Sequence, residues 1–126
     1  MLFRSRLALS LICVAGFARA EQVTVTAAAT GAAGGVVRVL DKTSGATLDL
    51  DLLRGQTGSM GALTVTLDDC RFPSDNPSGD AFEHLTIHYR AAAEPVFSGW
   101  MFASSPALNA MDHPRYDVWA LRCSTS

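Results

Sequence analysis

From residue 36 onward, apolar and polar positions alternate with a period of two. Leu48, Leu50 and Leu52 stand on one face of a predicted strand at 47–52, with Asp49 and Asp51 on the other. Leu63, Val65 and Leu67 repeat the pattern against Thr64, Thr66 and Asp68. In 82–90, Leu85, Ile87 and Tyr89 share a face opposite His84, Thr86 and His88. Such alternation marks half-buried antiparallel strands. Residues 36–40 form a short β-branched strand, and Asp41-Lys42-Thr43-Ser44-Gly45 a turn whose glycine supplies a left-handed residue. The continuously apolar run 96–102 predicts a central strand. Residues 116–123 predict a last strand with Trp119, Leu121 and Cys123 on one side. The expected fold is all-β, a small antiparallel sandwich or barrel of about six or seven strands. Cys70 breaks the pattern, because strict alternation puts it on the polar face with Thr64, Thr66 and Asp68. A β-bulge near Asp68-Asp69 would re-aim it inward.

Two connections interrupt the strands. Residues 73–80 carry two prolines and several short polar side chains, which turn chemistry explains. Residues 104–115 make a long link with at most one helical turn near 106–111. Pro106 suits a first helical position, and the Ser105 hydroxyl suits its N-cap.

The chain begins differently. Arg4 and Arg6 precede an apolar run at 7–17, and Ala18-Arg19-Ala20 has the small-x-small pattern of a signal-peptidase site. Residues 1–20 are therefore expected to be a signal peptide cleaved after Ala20, and the run is too short to span a bilayer. Ile12 before Cys13 argues against a lipoprotein site. The Ala-, Thr- and Gly-rich stretch 21–35 reads as a flexible tether, leaving 36–126 as one domain. Cleavage takes Arg4, Arg6 and Arg19 from the ten basic residues and none of the twelve acidic ones, leaving a net charge of −5. That balance argues against nucleic acid or anionic membrane as a partner. Cys70 and Cys123 remain, and an even pair in a small exported domain is most simply a disulfide.

The stretch from Phe97 to Cys123, FSGWMFASSPALNAMDHPRYDVWALRC, together with Leu40-Asp41-Lys42 and Cys70-Arg71-Phe72-Pro73, resembles the DUF2155 family of exported alphaproteobacterial proteins. The resemblance runs from about Val36 to the C-terminus. It implies a periplasmic setting; it implies no reaction and supplies no catalytic residues to carry over.

The chemistry legible in the residues is sparse. Ser104 or Ser105 with Asp112 and His113 has the residue types of a hydrolase, but all lie in one connection and no Gly-x-Ser-x-Gly elbow is present. His84 and His88 fall about 13 Å apart on a strand, too far for one ion. The segment Asp75-Asn76-Pro77-Ser78-Gly79-Asp80 is oxygen-rich but lacks EF-hand order, and turn chemistry accounts for it. Gly55, Gly58 and Gly61 precede a strand, so they are turn glycines and not a phosphate cradle. No enzyme, metal or cofactor is expected. The expected function is a periplasmic module that docks on an envelope protein through the 97–119 motif, using Trp100, Ser104, Ser105, Asp112, His113, Arg115 and Tyr116. The alternatives are a peptidoglycan- or polysaccharide-binding module in which Trp100 and Tyr116 are exposed together, and an inhibitor of a cell-wall hydrolase.

Overall fold

The computed structural model describes residues 28–124. Within them, eight strands form two facing antiparallel sheets: β1 (Ala29–Gly31), β2 (Gly34–Asp41), β3 (Thr47–Leu53), β4 (Thr57–Met60), β5 (Leu63–Pro73), β6 (Phe82–Tyr89), β7 (Phe97–Phe102) and β8 (Tyr116–Ser124). The all-β sandwich predicted from alternation is the fold. The larger sheet runs β1-β5-β6-β7, with β4 lying along β5 beside β1; the smaller runs β3-β2-β8. Val37 and Val39 of β2, Val65 and Leu67 of β5, Leu85 and Ile87 of β6 and Val118 of β8 fill the space between them.

The hairpin between β2 and β3 forms as its residues require. Gly45 has φ +76°, and Asp41 Oδ1 accepts bonds from the Thr43 N–H at 3.0 Å and hydroxyl at 2.6 Å. Pro106–Leu108 is a single 3-10 turn, where one helical turn was expected. Ser105 does not cap it with its side chain; its backbone carbonyl accepts the Leu108 N–H instead.

Two slips of register decide the core. β5 pairs with β6 as Leu67↔Leu85 and then Asp69↔His84, which leaves Asp68 as the extra residue of a bulge. The phase of the strand inverts, and Cys70, next to a core-facing position of β6, becomes fully buried. β8 repeats the device: Val37 pairs with Ala120 but Val36 with Arg122, so Leu121 is extra. Tyr116, Val118 and Ala120 face inward before this slip and Cys123 after it. The two sulfurs thereby meet in the Cys70–Cys123 disulfide, with Cα atoms 5.8 Å apart.

Several expectations are corrected. Trp119 and Leu121 do not share a side with Cys123, because the bulge at Leu121 lies between them. β7 is an edge strand, paired among the described strands only with β6. Its apolar run serves two faces: Met101 is buried, while Trp100 and Phe102 lie against His84 and Phe82 on the outer side. The leucines of β3 do share a face, but on an edge strand only Leu52 is buried and Leu48 remains 43% exposed. The expected tether is shortened, since β1 and the start of β2 fall inside it. Gly34 and Gly35 have no Cβ, and so can pack directly against Leu52 and the disulfide. The expected signal peptide and residues 21–27 lie outside the described residues.

Candidate functional site

The connection from β7 to β8 is pinned at four points. At its start, the Asp80 carboxylate accepts from the Ser104 N–H at 3.0 Å and hydroxyl at 2.6 Å, and from the Ala81 N–H at 2.8 Å. In the middle, the Asn109 amide donates to the Trp100 carbonyl at 2.9 Å, satisfying part of the bare edge of β7. Met111 then inserts into the core.

The fourth anchor is a polar and aromatic cluster under the end of the link. His113 is buried, and its Nδ1 accepts from the backbone N–H groups of Arg115 at 3.1 Å and Tyr116 at 3.2 Å. That nitrogen therefore carries no proton in this arrangement. The Lys42 ammonium donates to the His113 carbonyl at 2.7 Å and pairs with Asp117 at 3.5 Å. Arg115 reaches Asp41 at 3.3 Å and lies 5.1 Å above the Tyr116 ring. Bonds from the Thr43 hydroxyl and N–H, aided by Arg115, hold the Asp41 carboxyl down to about 2, against the desolvation that raises it. Tyr89 packs at a tilt against His113, with ring centroids 4.6 Å apart. The Tyr116 hydroxyl accepts the Ala62 N–H at 3.2 Å, tying the two sheets together.

The seven predicted binding residues are therefore not one surface. Tyr116 and His113 are buried supports, Arg115 is a half-buried clamp, and Ser104 is taken up by Asp80. Trp100 lies on the outer face of the larger sheet, with Arg71 5.9 Å from its ring and His84 edge-on at 5.2 Å. The exposed aromatic pair required for the glycan reading is not formed, because Tyr116 is inside. Ser105 and Asp112 stay on the connection, half-buried and exposed respectively.

Sequence reasoning did not select the residues that the connection brings together at the surface. Trp119 is half-buried on the outer face of the smaller sheet, between two grooves. One, of about 420 Å³, is lined by Arg38, Thr47, Ala103, Pro106, Trp119 and Leu121 among others. The second, of about 250 Å³, runs along Pro106, Ala107, Ala110, Asp117 and Trp119. Pro106 and Trp119 line both, and Leu108, in the same 3-10 turn as Pro106, is 73% exposed. Alternation with the inward Val118 and Ala120 puts Trp119 outside, and the bulge at Leu121 then brings Cys123 in; an apolar residue at that slip leaves no signal for it in the sequence. Glu83 was also missed, although it is in step with Leu85 and Ile87 and is wholly buried with them.

His84 binds Asp68 at 2.8 Å and Thr86 donates to the same carboxylate at 2.6 Å, on the open face of the larger sheet. Among the described residues, no three His, Cys, Asp or Glu side chains gather as a metal-ligand set.

Comparison with known proteins gives a family model, "Uncharacterized protein conserved in bacteria (DUF2155)", that matches residues 35–123. An uncharacterized protein, RP359, of Rickettsia prowazekii (strain Madrid E) is 28% identical over 92 residues, 71% of this chain. The match spans 59% of that relative's length. No solved structure matches.

Proposed function

The chain belongs to the DUF2155 family, and we propose that it is a non-enzymatic periplasmic module that docks on an envelope protein through the grooves lined by Pro106 and Trp119. One observation carries the reading: the half-buried Trp119 of β8 stands between two grooves, the larger of them mostly apolar, beside a connection that its own anchors hold in place. Tryptophan is among the residues enriched at interface hot spots, and a preorganised surface loses little entropy on binding. The charged residues lining the grooves are already paired, Arg38 with Asp49 and Asp117 with Lys42. The complementary partner surface is an apolar segment. The leader-like pattern of residues 1–20 and the Cys70–Cys123 disulfide support an oxidising, exported setting.

The test is in-cell cross-linking of the tagged chain followed by mass spectrometry, comparing wild type with Trp119→Ala and Leu108→Asp. A specific envelope protein is expected with wild type and is expected to be lost with both variants. Capture unchanged by either substitution would overturn the docking face. Retention on peptidoglycan sacculi that depends on Trp100 would replace it with a glycan reading.

A further inference from the structure

Glu83 is the most costly residue of the core. Its side chain enters between the sheets from β6, fully buried, and Oε2 has no hydrogen-bond partner. Oε1 lies 3.8 Å from Cys70 Sγ. A disulfide sulfur has no proton, so the hydrogen in this contact belongs to the carboxyl. Burial pushes Glu83 up to about 9, outweighing the opposing pull of Arg122, and the group is the neutral acid at pH 7. Gly35 of β2 makes room for the pair: a Cβ there would stand 2.8 Å from Cys70 Sγ and 2.9 Å from Glu83 Oε1.

The two sulfurs live in different surroundings. Cys70 is wholly enclosed beside the acid, whereas Cys123 keeps 8% exposure. Cys123 also lines a surface cavity of about 500 Å³ with Pro77, Ser78 and Arg122. Arg122 has no ion pair or side-chain hydrogen bond among the described residues, leaving a cation at the mouth that favours an approaching thiolate.

We propose that Cys70–Cys123 is an exchangeable disulfide, opened by a dithiol that enters this cavity and attacks Cys123, with Glu83 donating the proton to the departing Cys70 sulfur. The inference does not depend on the docking face. In the first step, the dithiol's thiolate bonds to Cys123 Sγ as the S–S bond breaks. Its electron pair passes to Cys70 Sγ, which takes the proton from Glu83 Oε1, and the carboxylate regains a proton from solvent. In the second step, the reductant's other thiolate attacks its own sulfur in the mixed disulfide. Cys123 leaves as a thiolate and is protonated by solvent. Two electrons and two protons have passed to the protein, and the dithiol has become a disulfide. Exchange rates depend on which sulfur is attacked and on how readily the other leaves. Without the acid, Cys70 would have to leave as an unpaired buried thiolate.

The test follows reduction of the oxidised chain by dithiothreitol in native buffer at pH 7, counting thiols by alkylation and mass spectrometry. Wild type is expected to open faster than it unfolds globally, and Glu83→Gln, which keeps the shape without the acid, is expected to open about tenfold more slowly. Equal rates for the two, or opening of wild type only at its unfolding rate, would overturn the proposal. Should Glu83→Gln fail to fold, Arg122→Glu at the surface gives a second reading: reversing the charge at the mouth is expected to slow reduction several-fold. An unchanged rate there rejects attack from this cavity.

Discussion

Gly61 and Tyr116 are far apart in sequence and in contact in space. Gly61 has φ +56°, a conformation that costs a side chain about 1 kcal/mol or more. A Cβ there would also stand 2.6 Å from the Tyr116 hydroxyl. Gly61→Ala is therefore expected to destabilise by about 2 kcal/mol or more. Tyr116→Phe alone loses one hydrogen bond, on the order of 1 kcal/mol. The double variant is expected to lose less than the sum, because removing the hydroxyl removes the clash; thermal melts of the three variants check this. Glu83 makes a second prediction at this scale. Its carboxyl holds a proton up to about 9 when folded, against an ordinary value of 4.5. Below 4.5 both the folded and the unfolded chain bind that proton, and stability does not depend on it. Between the two values only the folded chain does, so stability falls as pH rises, by at most about 1.4 kcal/mol per pH unit. The stabilising contribution is lost as pH passes through the folded value. Urea midpoints at pH 5 and pH 8.5 should diverge for wild type and draw together in Glu83→Gln.

At the scale of elements, each cysteine reaches the core through a one-residue slip placed just ahead of it. In β5 the inward positions are Leu63, Val65 and Leu67, then Cys70; in β8 they are Tyr116, Val118 and Ala120, then Cys123. A shift of one residue turns every later side chain to the other face. Deleting Asp68 removes only the extra residue and leaves Leu67↔Leu85, Asp69↔His84 and Cys70↔Glu83 in regular register, so Cys70 is expected to stay inward and alkylation of the purified variant to find no free thiol. Replacing both Cys70 and Cys123 by Ala is the change expected to lose about 4 kcal/mol, the chain-entropy value for a link across 53 residues, as read by urea melts. The first slip was legible, because a cysteine beside two adjacent aspartates contradicts a simple alternation. The second was not, because Trp119, Leu121 and Cys123 make an acceptable apolar face on their own. The central position assigned to β7 failed for a related reason. Apolar residues on both faces of a strand usually mean two covering layers, but here one face meets the core and the other meets cross-strand neighbours.

At the scale of the molecule, the two sheets and their disulfide carry a connection that serves as both edge cover and presented surface. Because Trp119 lies outside the core, Trp119→Ala is expected to leave the melting temperature within a few degrees of wild type while partner capture is lost. A large fall in melting temperature would instead make the tryptophan a structural residue. Fold class, most strands, the hairpin glycine, the single helical turn and the pairing of Cys70 with Cys123 were legible in the residues alone. These follow from local periodicity, turn chemistry and the parity of two thiols. Which members of the 97–119 motif are supports and which are surface depends on contacts between distant segments. His113 and Tyr116 became supports because Tyr89, Lys42 and the Ala62 N–H, all distant in sequence, supply their partners. Trp119 became surface because strand pairing, a non-local interaction, set the register in which it stands.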